Sequence, residues 1–325
     1  MSRKWLIHGK GERLFPEFNR HHDLPTVNWE SMMDWEAYFL PGSLQEALGI
    51  LEEKQGAARI LAGGTDLVLQ QRRRRNKAKM LVDISRIPGL SQIVKHGDTI
   101  HIGANCTHAQ AAESPLLKQY LPALSCACSQ IGSPQIRNMG TLVGNIVSAQ
   151  PGADAALALH AFHTSVTVAG FAGAREMSLI DLYAGLGLCC VDSTREIITA
   201  ISITLPKKRM LNAFERLSSR GTLTLPVVNT GVCLELNDDD SVALGRIAIG
   251  PVSPKPFRAL KAESFLEGKP LTSEVFQKAA EMAAEESRPR DSLLRGSREF
   301  RQAMVSVMVR RALMRASHGR GTHVP

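Results

Sequence analysis

Apolar residues in this chain recur at two spacings, and the switches between them divide it into three stretches. Leu44, Ala47, Leu48 and Leu51 follow one another at helical intervals, with Ser43 and Glu46 forming a capping-box pattern in front of them. Arg59-Ile60-Leu61 reads as a short buried strand, Leu67-Val68-Leu69 as a further apolar segment, and Met80 to Ile84 as another strand. This alternation predicts a βαβ-like unit. Order is expected from Tyr38-Phe39-Leu40-Pro41 onward. Residues 1–35 show no sustained period and read as an arm.

A second stretch begins with Thr99 to Ile102, which alternates as a strand does. Thr107 and Gln110 repeat the capping-box pattern and open a helical run that Pro115 and Pro122 interrupt. The apolar run Ala155 to Ala161 follows, then a strand around Val166-Thr167-Val168, and Ile197, Ile198, Ile201, Ile203 and Leu205 close the stretch. In the third, Phe214 to Leu217, Val227 to Leu236 and Val242 to Ile249 predict three strands, with Asn237-Asp238-Asp239-Asp240 as a hairpin turn. Helices are expected over Phe257 to Leu266, Ser273 to Glu285 and Arg298 to Ala316. Strands followed by helices predict an α+β domain whose helices cover one sheet face.

At 325 residues the chain can bury more than one core. A net charge of +8 comes partly from Arg72, Arg73, Arg74 and Arg75 and partly from the tail after Arg310. Such runs are a solvated face, or they meet nucleic acid, anionic lipid or an acidic partner subunit. Aromatic residues make up 5%, which provides no evident stacking platform for single strands, so nucleic acid is not expected. The six cysteines lack zinc-ribbon or ferredoxin spacing and read as free thiols in a reducing compartment. No apolar stretch reaches membrane-spanning length and no signal-peptide pattern opens the chain, so a cytoplasmic location is expected.

Two glycine segments carry the chemistry. Ala62-Gly63-Gly64-Thr65-Asp66 follows an apolar strand, and Thr141-Leu142-Val143-Gly144-Asn145 precedes Pro151 and Asp154. Glycine brings peptide N–H groups close to a phosphate and adopts positive φ freely. The first segment lacks the Gly-Lys-Ser/Thr of a nucleotide-hydrolase loop, so a tight strand turn fits it as well as a phosphate cradle. Thr141 can donate to a phosphate oxygen, and Asn145 can bond a ligand or support its own turn. Asp154 either accepts from ribose hydroxyls or an adenine amine, or N-caps the run at Ala155.

These residues resemble the FAD-binding medium subunit of molybdenum hydroxylases, the carbon monoxide dehydrogenase and xanthine dehydrogenase group. The family signature Ala-Gly-Gly-x-x-Leu is matched by Ala62 to Leu67. The signature Gln-Ile-Arg-Asn-x-Gly-Thr-x-Gly-Gly-Asn is matched by Gln135 to Asn145 with one change. Further echoes are Leu81-Val82-Asp83-Ile84, Phe214-Glu215-Arg216-Leu217, Gly250-Pro251-Val252-Ser253-Pro254 and Arg295-Gly296-Ser297. The resemblance implies a two-lobed FAD-binding domain of the vanillyl-alcohol-oxidase type over residues 36–209, with lobes at 36–95 and 96–209. A smaller α+β domain with a three-stranded sheet would occupy 210–325. It implies non-covalent FAD held by Ala62, Gly63, Gly64, Thr65 and Asp66 and by Thr141, Leu142, Val143, Gly144 and Asn145, with Asp154 toward the ribose and adenine. Ile198 would lie near the flavin, or serve only in a strand core. Arg216 would supply charge to the flavin, or be a surface strand residue. No catalytic acid or base is expected.

By the same resemblance, electrons reach FAD from [2Fe–2S] clusters of a small subunit beside a molybdopterin large subunit, and leave for an external acceptor. The first segment has no His after Gly64, so a covalent histidyl flavin is not expected. Nor is an iron–sulfur cluster in this chain, since the stretch between Asn145 and Asp154 holds no cysteine. The one changed position is Val143, where the family has glycine. A β-branched residue resists φ > 0 and is expected there to hold phosphate away from the backbone. A chain weakened in that way would be an FAD-free structural or assembly subunit, the alternative to an electron-transfer role.

Overall fold

A computed structural model describes residues 35–72, 78–220 and 223–319, the Arg72 side chain excepted. The arm before Trp35, most of the Arg72–Arg75 run and the end of the basic tail lie outside the described residues. The first lobe runs β1 (Ala37–Phe39), α1 (Leu44–Lys54), β2 (Ala58–Leu61), α2 (Leu67–Arg72) and β3 (Met80–Asp83). Its three strands are all parallel in the order β1-β3-β2, so the βαβ reading holds with one more strand in front. Ser43 caps α1 by accepting the Glu46 N–H at 3.1 Å. Glu46 reaches back to the Gly42 N–H rather than to Ser43, so the cap is not a closed box.

The second lobe comprises β4 (Ile93–His96), β5 (Thr99–Gly103), α3 (His108–Glu113), α4 (Pro115–Tyr120), α5 (Pro122–Ser129), α6 (Pro134–Met139), α7 (Leu142–Val147) and α8 (Asp154–His160). It continues with β6 (His163–Gly170), β7 (Gly173–Ser178), β8 (Tyr183–Gly185), β9 (Leu188–Cys189) and β10 (Ile197–Thr204). Thr107 and Gln110 close a true capping box on α3, with bonds of 3.2 and 2.9 Å. Pro115 and Pro122 each open a new short helix, where a missing N–H costs nothing. The main sheet is antiparallel in the order β4-β5-β10-β6-β7, with the alternating isoleucines of β10 at its centre.

The C-terminal domain contains β11 (Met210–Leu217), β12 (Val228–Leu236), β13 (Val242–Gly250), β14 (Phe257–Arg258), α9 (Leu260–Leu266), α10 (Ser273–Glu286) and α11 (Arg298–His318). Its sheet has a fourth, two-residue strand where a helix start was expected, because Phe257 and Arg258 pair with Ile249 and Ala248 before α9 begins. The domain's own helices cover one sheet face, as expected, and the other face is covered too. Val228, Val232, Leu234, Ile247 and Ile249 pack in one core with α9, α10 and α11. Met210, Phe214, Cys233 and Ala248 belong instead to the core shared by the two preceding lobes. Phe214 is fully buried there, and a side chain of that kind contributes about 1.5–3 kcal/mol by leaving water. Helix α8 approaches β12 so closely that a Cβ on Gly231 would stand 3.2 Å from the Ala158 Cα. Asn212 of β11 completes the joint by accepting from the Ala123 N–H at 2.9 Å and donating to the Tyr120 carbonyl at 3.1 Å.

Candidate functional site

The first glycine segment closes the turn from β2 into α2. Gly64 has φ of +69°, which glycine adopts without a Cβ penalty. Gly63 is glycine for another reason: a Cβ there would stand 1.8 Å from the Met139 carbonyl oxygen. No side chain fits. The peptide Met139–Gly140, which leads straight into the second segment, therefore lies directly against the first.

That second segment is held from behind. The Gly140 carbonyl accepts the His108 N–H at 3.0 Å, and the Leu142 N–H donates to the Cys106 carbonyl at 3.0 Å. Thr141 Oγ1 accepts the Gly144 N–H at 3.0 Å and caps α7. A Cβ on Gly144 would crowd that oxygen, also at 3.0 Å. Burial, with Arg137 nearby, pushes the His108 imidazole down to about 4, so it stays neutral behind the segment at physiological pH.

Val143 does not behave as expected from the sequence. It sits in the first turn of α7, buried, and is absent from the positive-φ positions. A helical valine is unstrained, so the steric reason for an empty cradle disappears. Leu142 is wholly buried, and Ile198 is a buried core residue of β10.

Asn145 Oδ1 accepts the Ala156 N–H at 3.1 Å, which supplies the first turn of α8 with the cap its own N-cap residue, Ala153, does not give. Asp154 therefore is not the N-cap. It is the first residue of α8, and its carboxylate accepts from Asn229 Nδ2 at 2.6 Å and Arg216 Nε at 3.1 Å. Arg216 is no surface residue either: its side chain is 5% exposed, and it also donates to Ser218 Oγ and the Thr224 carbonyl. The positive charge expected at the flavin is thus paired within the protein. Burial pushes the Asp154 carboxyl up to about 6 although Arg216 and Asn229 pull the other way.

A cavity of about 830 Å³ opens between the FAD-domain lobes and the C-terminal domain. That volume suits a cofactor-sized ligand. Asp66, Asn145, Asp154 and Arg216 line it, together with the 150–154 strap and the loops at 223–226 and 251–254. The strap abuts the C-terminal domain so tightly that a Cβ on Gly250 would meet the Pro151 carbonyl oxygen at 2.3 Å. The predicted residues thus divide into two groups. Gly63 and Thr65 form a clasp with the Met139–Gly140 peptide, flanked in sequence by Ala62, Gly64, Thr141 and Gly144, while Asp66, Asn145, Asp154 and Arg216 face the cavity. Sequence reasoning missed Asn229 and the arginines at 288, 290, 295 and 301 on the opposite wall. The Arg295-Gly296-Ser297 motif was the available signal.

A two-lobed α+β domain with paired glycine segments, closed by a second α+β domain, is the architecture of an FAD-binding subunit. The family described as the FAD binding domain in molybdopterin dehydrogenase matches residues 31–207, and the CO dehydrogenase flavoprotein C-terminal domain matches residues 213–316. The chain is 33% identical to the nicotinate dehydrogenase FAD-subunit of Eubacterium barkeri, over 76% of this chain and 84% of that one. It is 31% identical to the carbon monoxide dehydrogenase medium chain of Hydrogenophaga pseudoflava, over 85% and 95%. A solved structure of that organism's carbon monoxide dehydrogenase superposes with a TM-score of 0.80 at 31% identity, covering 86% of this chain and 96% of that one. Quinoline 2-oxidoreductase from Pseudomonas putida 86 gives 0.80 at 26% identity, covering 88% and 98%. The chain belongs to the FAD-binding medium-chain family of the CO and xanthine dehydrogenases.

Proposed function

We propose that this chain holds FAD non-covalently in a heteromeric molybdenum dehydrogenase, with an iron–sulfur small subunit and a molybdopterin large subunit as partners. The observation that carries this reading is the clasp at Gly63, where the first glycine segment meets Met139, 76 residues on and just ahead of the second segment, with no room for a Cβ. The cavity volume and the cationic wall fit a dinucleotide diphosphate as well. Ala62 to Asp66 and Thr141 to Asn145 would hold the diphosphate, with Asp154 and Arg216 fixing the C-terminal domain over it. Ile198 supports from the strand core. Bound FAD supplies one- and two-electron redox chemistry, here between [2Fe–2S] clusters of the small subunit and an external acceptor.

This chain's residues bind and orient the cofactor and exclude water; none acts as an acid or base. Domain limits near residues 36, 95 and 209 and a cytoplasmic location complete the proposal. Among the described residues no helix is long and apolar enough to cross a membrane. The test is the visible flavin absorbance of the purified chain after FAD is added and excess removed. A stoichiometric band is expected in the wild type and a weak one in Gly63→Ala. A wild-type chain without flavin overturns the reading. The FAD-free alternative rested on strain at Val143, and that strain is absent.

A further inference from the structure

The C-terminal wall of the cavity contains more positive charge than the fold uses. Arg216 is matched by Asp154, but Arg288, Arg290, Arg295 and Arg301 make no ion pair among the described residues. The remaining acids on the lining are Asp66 and Asp291, and Asp291 already accepts the Arg298 N–H at 2.7 Å. Arg301 is 3% exposed, and its guanidinium is met only by carbonyl oxygens, those of Arg290 and Pro251. Its Nε–H is buried without any partner. A buried guanidinium with no carboxylate is costly, and an unfilled donor adds to that cost. Burial lowers its pKa, and Arg295 and Arg290 lie close enough to lower it further, so three like charges converge on one wall. Arg295 is half-buried and makes no hydrogen bond within the described protein through its guanidinium.

We propose that Arg290, Arg295 and Arg301 form an anion site on the C-terminal-domain wall, separate from the glycine clasp, that takes a phosphate group. Guanidinium forks match phosphate oxygens bidentately, and Arg301 supplies the fixed, buried end of such a cluster. The phosphate comes from one of two sources: the diphosphate of the cofactor, or a second, phosphorylated ligand such as the electron acceptor. The first source rests on the proposed FAD site; the anion site itself does not.

The experiment is calorimetric titration of inorganic pyrophosphate into the full chain, first without FAD and then loaded with it. One saturable site is expected in the FAD-free protein, about tenfold weaker in the Arg290→Gln/Arg295→Gln double variant. Both side chains lack protein partners, so the double variant should keep the wild-type melting midpoint. Arg311→Gln, on the exposed side of α11, is the charge control and should bind as the wild type does. If FAD loading abolishes the binding, the phosphate is the cofactor's own; if the binding persists, it belongs to a second ligand. No saturable site, undiminished binding by the double variant, or equal weakening by Arg311→Gln overturns the proposal. Flavin absorbance is read separately, so the anion site can fail while the FAD reading stands, and the reverse.

Discussion

The two walls of the cavity are made in opposite ways. On the FAD-domain side the chain removes side chains: Gly63 and Gly144 are empty so that backbones can touch and a cap can close. On the C-terminal side cationic side chains line the cavity from the loop between α10 and α11 and from the first turn of α11. A backbone wall is fixed by steric exclusion and tolerates no change at its contact points. A side-chain wall is more adjustable, because Arg290 and Arg295 can be altered without moving the chain, although Arg301 is fixed by the Arg290 and Pro251 carbonyls. Between them stands the buried Asp154–Arg216–Asn229 joint, which is neither.

The joint should give the largest effect. Arg216→Ala leaves Asp154 buried without its cation and should cost about 3–5 kcal/mol in urea unfolding. Adding Asp154→Asn should recover much of that loss; no recovery would mean that Arg216 acts chiefly through Ser218 and Thr224. The same pair sets a pH dependence of about 1–3 kcal/mol. The Asp154 carboxyl is raised from the ordinary range to about 6 in the fold. Its stabilising contribution is full below about pH 4 and is lost as pH rises through about 6. Wild type should therefore weaken relative to Asp154→Asn across that window, and parallel curves would refute the assignment.

Gly63→Ala should cost about 1–3 kcal/mol through overpacking against Met139 and should loosen FAD, measured by flavin fluorescence. Val143→Gly sharpens the contrast, since it restores the family's glycine to a helical position. It should lose about 1–2 kcal/mol and gain no affinity for FAD. A marked gain would return strain at Val143 to the argument. The smallest effect is the opposite in sign: Gly49 lies inside α1 with open space around it. Gly49→Ala should stabilise by about 0.5–1 kcal/mol, showing that a glycine with open space around it gains from a Cβ that Gly63 cannot accept.

What was legible in the sequence follows the same division. The Thr107–Gln110 box, the β10 isoleucines and the glycine segments are local patterns whose cause lies within a few residues. Strand β7, Gly173–Ser178, is exposed along almost its whole length and has no apolar alternation to read. Asp154 could be read as a cap because helices often open on aspartate, yet its partners lie 62 and 75 residues away. The arginines from 288 to 301 look like a solvated run until the fold turns them toward a cavity. Val143 misled for a related reason, since a motif position does not state its φ.

The β11–β13 sheet has consequences for how this chain can be cut. One of its faces belongs to the core of the preceding lobes and the other to its own helices. The two family segments meet between residues 207 and 213, where Lys207 and Lys208 form an exposed bend that a protease can reach, yet a cut there would not free two separate cores. An isolated C-terminal fragment would present Phe214, Cys233 and Ala248 as a bare sticky plane, and an isolated FAD domain would lose the partner of α8. The unit that two family segments describe has to be expressed, and to mature, as one.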